Sequence, residues 1–122
     1  MPGARLLIHP IRDVTIVNFQ DASILDTAQV ESIGEELYDL IDNKGRKKLV
    51  LDFGKVQFLS SSALGVLITL QKKAMANKGQ VVLCALRKDL MKLFEMTKLT
   101  KMFTFAADED KALAHYGLAG LG

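Results

Sequence analysis

Tryptophan is missing from this chain of 122 residues, cysteine occurs once, and proline, histidine and tyrosine occur twice each. The lone cysteine, Cys84, excludes an internal disulfide. It lies inside the apolar run QVVLCAL, which marks it as a buried, reduced thiol, since a reactive one needs basic neighbours and exposure. The two histidines, His9 and His115, have no partner at metal spacing, and a single cysteine does not complete a zinc site. No cofactor is expected: Walker and dinucleotide-type glycine loops are absent. No apolar run approaches the ~18–20 residues that span a bilayer. The longest uncharged window, Val56 to Gln71, is broken by serines and by Gln57. The opening MPGARLLIHPIRD lacks the apolar core and cleavage site of a signal peptide, so a cytoplasmic protein without a membrane span is expected.

Charge of one sign is also lacking, with 16 basic residues against 14 acidic ones, a net +2. The densest basic cluster is NKGRKKLV, with Lys44, Arg46, Lys47 and Lys48. Aromatics make up only 7% of the chain and none interleaves with these charges. The cluster therefore reads as a solvated loop, not a nucleic-acid patch.

The sequence does have a core. Hydrophobic residues make up 49% of it, and the length corresponds to one domain, 1–122, with a folded core over about 6–116 and a flexible tail, 117–122. RLLIH and VTIVNF are β-rich runs separated by the turn chemistry of His9 to Asp13, which predicts a hairpin. Asp26 or Thr27 caps a helix whose Val30, Ile33, Leu37, Leu40 and Ile41 share a face. Glu31, Glu35 and Glu36 mark its wet side, and Asn43 and Gly45 its exit. KLVLDF and QVVLCAL are apolar at nearly every position, the pattern of strands buried on both faces. GKVQFLSSS reads as a connection. A second helix runs from Ser61 to about Asn77, with Leu64, Leu67, Ile68, Gln71 and Met75 on one face. Lys72, Lys73 and Lys78 load its C-terminal end, and Gly79 stops it. RKDLMKLFEMTKL is a third helix, with Leu90, Leu93, Phe94 and Met96 or Thr97 inward. KMFTF is a short strand, and DEDKALAHYGL a last helix with Asp108 as a candidate cap. The order β-β-α-β-α-β-α-β-α predicts an α/β sandwich: a mixed, mostly parallel sheet with one antiparallel hairpin and about four helices.

One feature of the helix starts is unusual. FLSSSALGVL places Ser60, Ser61 and Ser62 in a row before small Ala63 and Gly65. One serine is enough for an N-cap. Three of them, at a helix start just after a buried strand, lie where α/β sheets present ligands and partners. A phosphate there would meet free N–H groups and the positive end of the helix dipole. The paired carboxylates of DEDK read as helix-start charges. A serine nucleophile lacks a base, so an enzyme is not expected.

The stretch from Leu49 to Phe103 resembles the STAS domain of anti-sigma factor antagonists. Leu51-Asp52 matches the family's strand ending. Phe58, Ser61, Ser62, Leu64 and Gly65 match its serine motif. Gly79, Val81 and Val82 match the next strand, and Leu90, Leu93, Phe94, Thr97 and Leu99 the following helix and exit. Upstream, Asp26 stands in the family's acidic position. Two positions depart: the motif Asp is Ser60 here, and the motif Gly is Ala63. The resemblance implies a partner-switching protein. Unphosphorylated, it would bind an anti-sigma factor that is also a serine kinase. Phosphorylation of Ser61 would release it, and a phosphatase would reset it. Asp26, Ser60, Ser61, Ser62, Ala63 and Gly65 are the implied partner-binding residues. The protein is expected as a monomer or weak dimer. Ser60 in place of the carboxylate keeps a second reading open: a constitutive STAS binding or scaffold module, in a stress-signalling complex or beside a transporter, whose serines only cap a helix.

Overall fold

The computed structural model describes residues 6–118. Arg5, at the head of the expected first strand, and positions 119–122 of the expected tail lie outside them. Strand β1 (Leu6–Ile11) pairs antiparallel with β2 (Val14–Phe19). Next come β3 (Ser23–Ile24), α1 (Thr27–Asp42), β4 (Lys48–Asp52), β5 (Phe58–Leu59), α2 (Ser61–Ala76) and β6 (Gln80–Cys84). Helix α3 (Lys88–Met96), β7 (Thr104–Ala106) and α4 (Glu109–His115) complete the order. The main sheet runs β1-β2-β4-β6-β7, and every pairing after the hairpin is parallel. This is the expected mixed sheet with an N-terminal hairpin and four helices.

The apolar runs fix the layers. Side chains alternate across a strand. Leu49, Leu51, Val81 and Leu83 therefore join the core under α1, α2 and α3, while Val50, Val82 and Cys84 join Ala112 and Leu113 of α4 on the other face. Burial on both faces is what the unbroken hydrophobicity of these strands implies. Val30, Ile33, Leu37, Leu40 and Ile41 of α1 are all buried, as their spacing predicts.

Several local expectations change. His9, Pro10 and Ile11 belong to β1, and the hairpin turns on Arg12 and Asp13 alone, with Arg12 at φ +56. Pro10 is tolerated because β1 is an edge strand with one side unpaired. The basic loop is partly structural. Arg46 donates through Nε to Thr15 Oγ1 at 2.7 Å and through Nη2 to the Arg12 and Val14 carbonyls, bracing the turn. Lys48 Nζ lies 2.7 Å from Asp13 Oδ2, a bond that lowers the Asp13 carboxyl from its ordinary value, with desolvation opposing it.

In α2 the buried stripe is Ala63, Leu64, Leu67, Leu70, Gln71 and Ala74. Met75 is 62% exposed, one residue and about 100° of helix past that stripe. Met96 is 80% exposed, and Thr97 is the C-cap of α3, with Oγ1 donating to the Leu93 carbonyl at 2.8 Å. Neither faces inward. Lys101 and Met102 form a turn instead of the head of a strand. Buried Gln71 holds that turn by donating to the Met102 carbonyl at 2.7 Å, while its Oε1 accepts the Val81 N–H. At the head of the expected tail, the Leu118 N–H donates to the Leu113 carbonyl at 2.8 Å and Leu118 packs on the α4 core.

The stop after α2 divides its work between two residues. Lys78 takes the left-handed conformation at φ +64. The Lys78 and Gly79 N–H groups then close back on the Met75 and Ala74 carbonyls, the Schellman pattern. Gly79 is needed for a different reason, because a Cβ there would lie 2.1 Å from the Lys47 carbonyl oxygen. Gly79→Ala should lower stability by about 3 kcal/mol or more through overpacking, and Lys78→Gly should raise it by about 1 kcal/mol by relieving the left-handed lysine. Urea unfolding of both variants checks the pair, and equal effects would refute this division.

Candidate functional site

The serine edge is assembled by the two shortest strands. Strands β3 and β5 form a separate parallel pair, Ser23 beside Phe58 and Ile24 beside Leu59. The connection expected before the serines is thus itself paired. The Ala22 carbonyl accepts from the Gln57 and Phe58 N–H groups, and the Ile24 carbonyl accepts from the Ser60 N–H at 3.0 Å. These bonds set the starts of α1 and α2 side by side and bring Asp26 and the three serines to one edge.

Each start is capped by its own side chain. Asp26 Oδ2 accepts from the Ala28 and Gln29 N–H groups at 3.0 and 3.2 Å, which settles the cap of α1 as Asp26. Gln29 reaches back, accepting from the Leu25 N–H and donating to the Ser23 carbonyl and to Asp21 Oδ2. The segment before α1 is therefore pinned to the helix it precedes. Ser60 caps α2, its Oγ accepting from the Ala63 N–H at 3.0 Å.

This geometry separates the three serines. The Ser60 hydroxyl is engaged in the cap and the residue is half-buried. Ser61 and Ser62 occupy the first two helical positions and are exposed, and N–H groups at those positions have no intrahelical acceptor. Asp and Ser are both strong N-caps, so Ser60 does in hydrogen bonding what an aspartate at this position would do, without its charge. Ala63 departs from the expected docking set: it is buried, at 6% exposure, and packs inward. Gly65 is exposed, with open space where a Cβ would point.

Two flanking residues lie outside the partner-binding set that the sequence implies. Leu25 and Phe58 are 53% and 55% exposed, which is unusual for large apolar side chains beside a polar edge. No periodic signal marks them, because the strands beside them are only two residues long. Phe58 precedes half-buried Leu59 within β5 and points outward from it, while Leu25 lies between β3 and α1, one residue past buried Ile24.

A second polar cluster lies at the ends of β2 and β4, where α4 begins. Asp108 caps α4 as expected, accepting from the Lys111 N–H at 2.9 Å. Glu109 instead reaches across to the sheet, where Asn18 Nδ2 donates to its Oε2 at 2.8 Å. The neighbouring Asp52 carboxyl raises the Glu109 pKa, burial adds to this, and the Asn18 bond opposes it. Asp52 Oδ1 also accepts from the Gly54 N–H at 2.7 Å. Burial, reinforced by the carboxylates of Asp52, Glu109 and Asp108, pushes the Cys84 thiol up to about 12, so it is an inert core group. Among the described residues no cluster of three or more His, Cys, Asp or Glu is placed to hold a metal ion, and no helix is long and apolar enough to cross a membrane.

Ser60→Ala should lower stability by about 1 kcal/mol, Ser60→Asp should retain the cap, and Ser61→Ala and Ser62→Ala should stay within ~0.5 kcal/mol of the parent. Denaturant midpoints test this, and equal losses at all three serines would contradict it. The raised Glu109 pKa fixes a sign as well. A carboxyl whose folded pKa lies above its unfolded one binds more protons when folded, so its contribution is full at acid pH and is lost as pH rises through the folded value. Glu109→Gln should therefore gain stability relative to the parent as pH rises above the ordinary glutamate value of 4.5. A difference independent of pH, measured by urea unfolding, would refute the raised Glu109 pKa.

Residues 7–112 match the STAS domain family. BtrV of Bordetella bronchiseptica, a protein named as an anti-sigma factor antagonist, is 29% identical over 96 residues, covering 79% of this chain and 82% of its own. A Thermotoga maritima protein named as an anti-sigma factor antagonist superposes with a TM-score of 0.81 at 19% identity, covering 90% of this chain and 92% of that one. The Bacillus cell fate determinant SpoIIAA in its phosphorylated form superposes with a TM-score of 0.72 at 18% identity, covering 92% of this chain and 99% of that one. With the match running from β1 into α4, the chain belongs to the STAS domain family.

Proposed function

We propose that this protein is a cytoplasmic anti-sigma factor antagonist, a binding protein and not an enzyme, switched by phosphorylation of Ser61. In the unphosphorylated state it docks an anti-sigma factor that is also its serine kinase, and so frees a sigma factor. A phosphatase returns it to that state. The observation that carries this reading is the division of the serine run. Ser60 is occupied as the cap of α2, and Ser61 stands exposed at the first helical position, on the edge that also exposes Leu25 and Phe58. The relative BtrV, named as an antagonist, supports it.

The chemistry of that position gives the switch its sign. A phosphoserine adds about −1.5 to −2 charge. Free N–H groups and the helix dipole at the start of α2 stabilise the dianion while it is hydrated. A partner seated over Leu25 and Phe58 would strip that hydration, and burying an unpaired charge is strongly unfavourable. The Asp26 carboxylate at the start of α1 adds like charge to the same edge. Phosphorylation and docking therefore oppose each other.

Ser60 favours a second reading, a constitutive binding module, because a kinase that reads a carboxylate at that position would find none. Incubation with the cognate kinase and ATP, followed by intact-mass measurement, separates the two. One phosphoryl group should add to the parent and to Ser62→Ala, and none to Ser61→Ala. Undiminished incorporation in Ser61→Ala would refute the Ser61 assignment, and a parent left unmodified would favour the constitutive module.

A further inference from the structure

Beside the serine edge, α1 and α2 enclose an open groove of about 410 Å³. Apolar Val30, Gly34 and Val66, the Tyr38 ring and two carboxylates, Glu31 and Glu35, line it together with Thr27 and Ser62. Among the described residues no lysine or arginine lines it. Ser61 is not part of the lining, so the groove and the acceptor hydroxyl are separate points on one edge.

Two features of α1 weaken the helix where it borders this groove. Gly34 sits in the interior of the helix, where glycine is less favourable than alanine. The fold does not need it: a Cβ there would meet Tyr38 Cε2 and Val66 Cγ2 at 3.5 Å, an ordinary contact. Glu31 and Glu35 are one turn apart, a like-charge spacing that also disfavours the helix. Local choices that oppose the fold without a structural gain mark functional positions. Here the missing Cβ keeps the groove deep, and the paired carboxylates keep it negative within a chain whose net charge is +2.

A long basic side chain complements all three properties. Its stem can lie on Val30, Val66 and the aromatic ring, and its charge can face the two carboxylates. The Tyr38 ring already carries the cation of Lys73, whose Nζ lies 5.4 Å from its centroid and is paired with Asp42, so the incoming charge falls to Glu31 and Glu35 and the ring supplies contact for the side-chain stem. Arginine suits the site better than lysine, because its planar fork pairs with carboxylates. We propose that the groove between α1 and α2 receives an arginine side chain of the protein partner that docks on the serine edge, with Glu31, Glu35 and Tyr38 as its recognition residues and Gly34 as the residue that leaves it room. This rests on the reading of that edge as a partner surface.

The test needs neither kinase nor phosphate, so its failure would leave the Ser61 reading standing, and failed phosphorylation would not affect it. The probe is the peptide acetyl-Leu-Arg-Ala-Leu-amide, titrated into the full chain while backbone amides are followed by NMR. The controls replace its arginine with citrulline or with glutamate. Saturable shifts are expected at Gly34, Tyr38 and Val66 with the arginine peptide alone. The double variant Glu31→Gln/Glu35→Gln should bind it about fivefold more weakly. Gly34→Ala should melt higher than the parent and still bind the peptide less well, a combination that a purely structural glycine would not produce. Equal shifts with the citrulline or glutamate peptide, shifts confined to other surfaces, or unchanged affinity in both variants would overturn the proposal.

Discussion

The Ser60 N–H donates to the Ile24 carbonyl at 3.0 Å, and this bond ties the chain entering α2 to the chain entering α1. With the Ala22 carbonyl bonds and the pairing of β3 with β5, it turns two sequence-distant helix starts into one edge. A helix N-terminus offers free N–H groups and a partial positive charge. Two such ends set side by side, each capped by its own residue, make a polar edge whose backbone is fixed before any partner arrives. Phe58, at the head of β5, and Leu25, in the link from β3 to α1, flank it as exposed apolar side chains. Without the pairing, the Asp26 and Ser60 segments would be two independent loops.

Below this edge the fold supplies rigidity. The central strands are buried on both faces, and the polar groups inside them are answered: among the described residues no buried side-chain nitrogen or oxygen lacks a hydrogen-bond partner. Gln71 shows how that is done, joining α2 to both β6 and the turn before β7 with one amide. Tyr116 does the same on the other face, its hydroxyl lying within 3.0 Å of the Leu49 and Gln80 carbonyls, and burial raises its pKa. Groups held this firmly suit a site whose work is recognition, because little order remains to be imposed when a partner binds.

Much of this architecture was legible in the sequence. The continuous apolar runs gave the doubly covered strands, and the stripe from Val30 to Ile41 gave α1 and its face. Asp26 and Asp108 were readable as caps because their chemistry is local. The serine run was readable as a helix start for the same reason, and the resemblance of its motif named the family. What the sequence hid was mostly long-range. The β3–β5 pair is too short to carry a periodic signal. Arg46 and Lys48 read as loop charges until the hairpin turn was placed beside them. Glu109 looked like one of several helix-start acids, and nothing local reveals that it meets Asn18 and Asp52. Met75 sits a single position past buried Ala74, and one residue turns a side chain by about 100°, whereas Met96 and Thr97 fall at the exposed end of α3. The roles of Ser60 and Ser61 separate only once the cap geometry is known.

The central claim is that the Ser61 edge docks a partner only while it carries no phosphate. The most direct measurement is calorimetric titration of the anti-sigma partner into the unphosphorylated protein and into protein stoichiometrically phosphorylated on Ser61. The account predicts at least a tenfold weaker complex for the phosphorylated form, ~1.4 kcal/mol or more. Equal affinity for the two forms would contradict it.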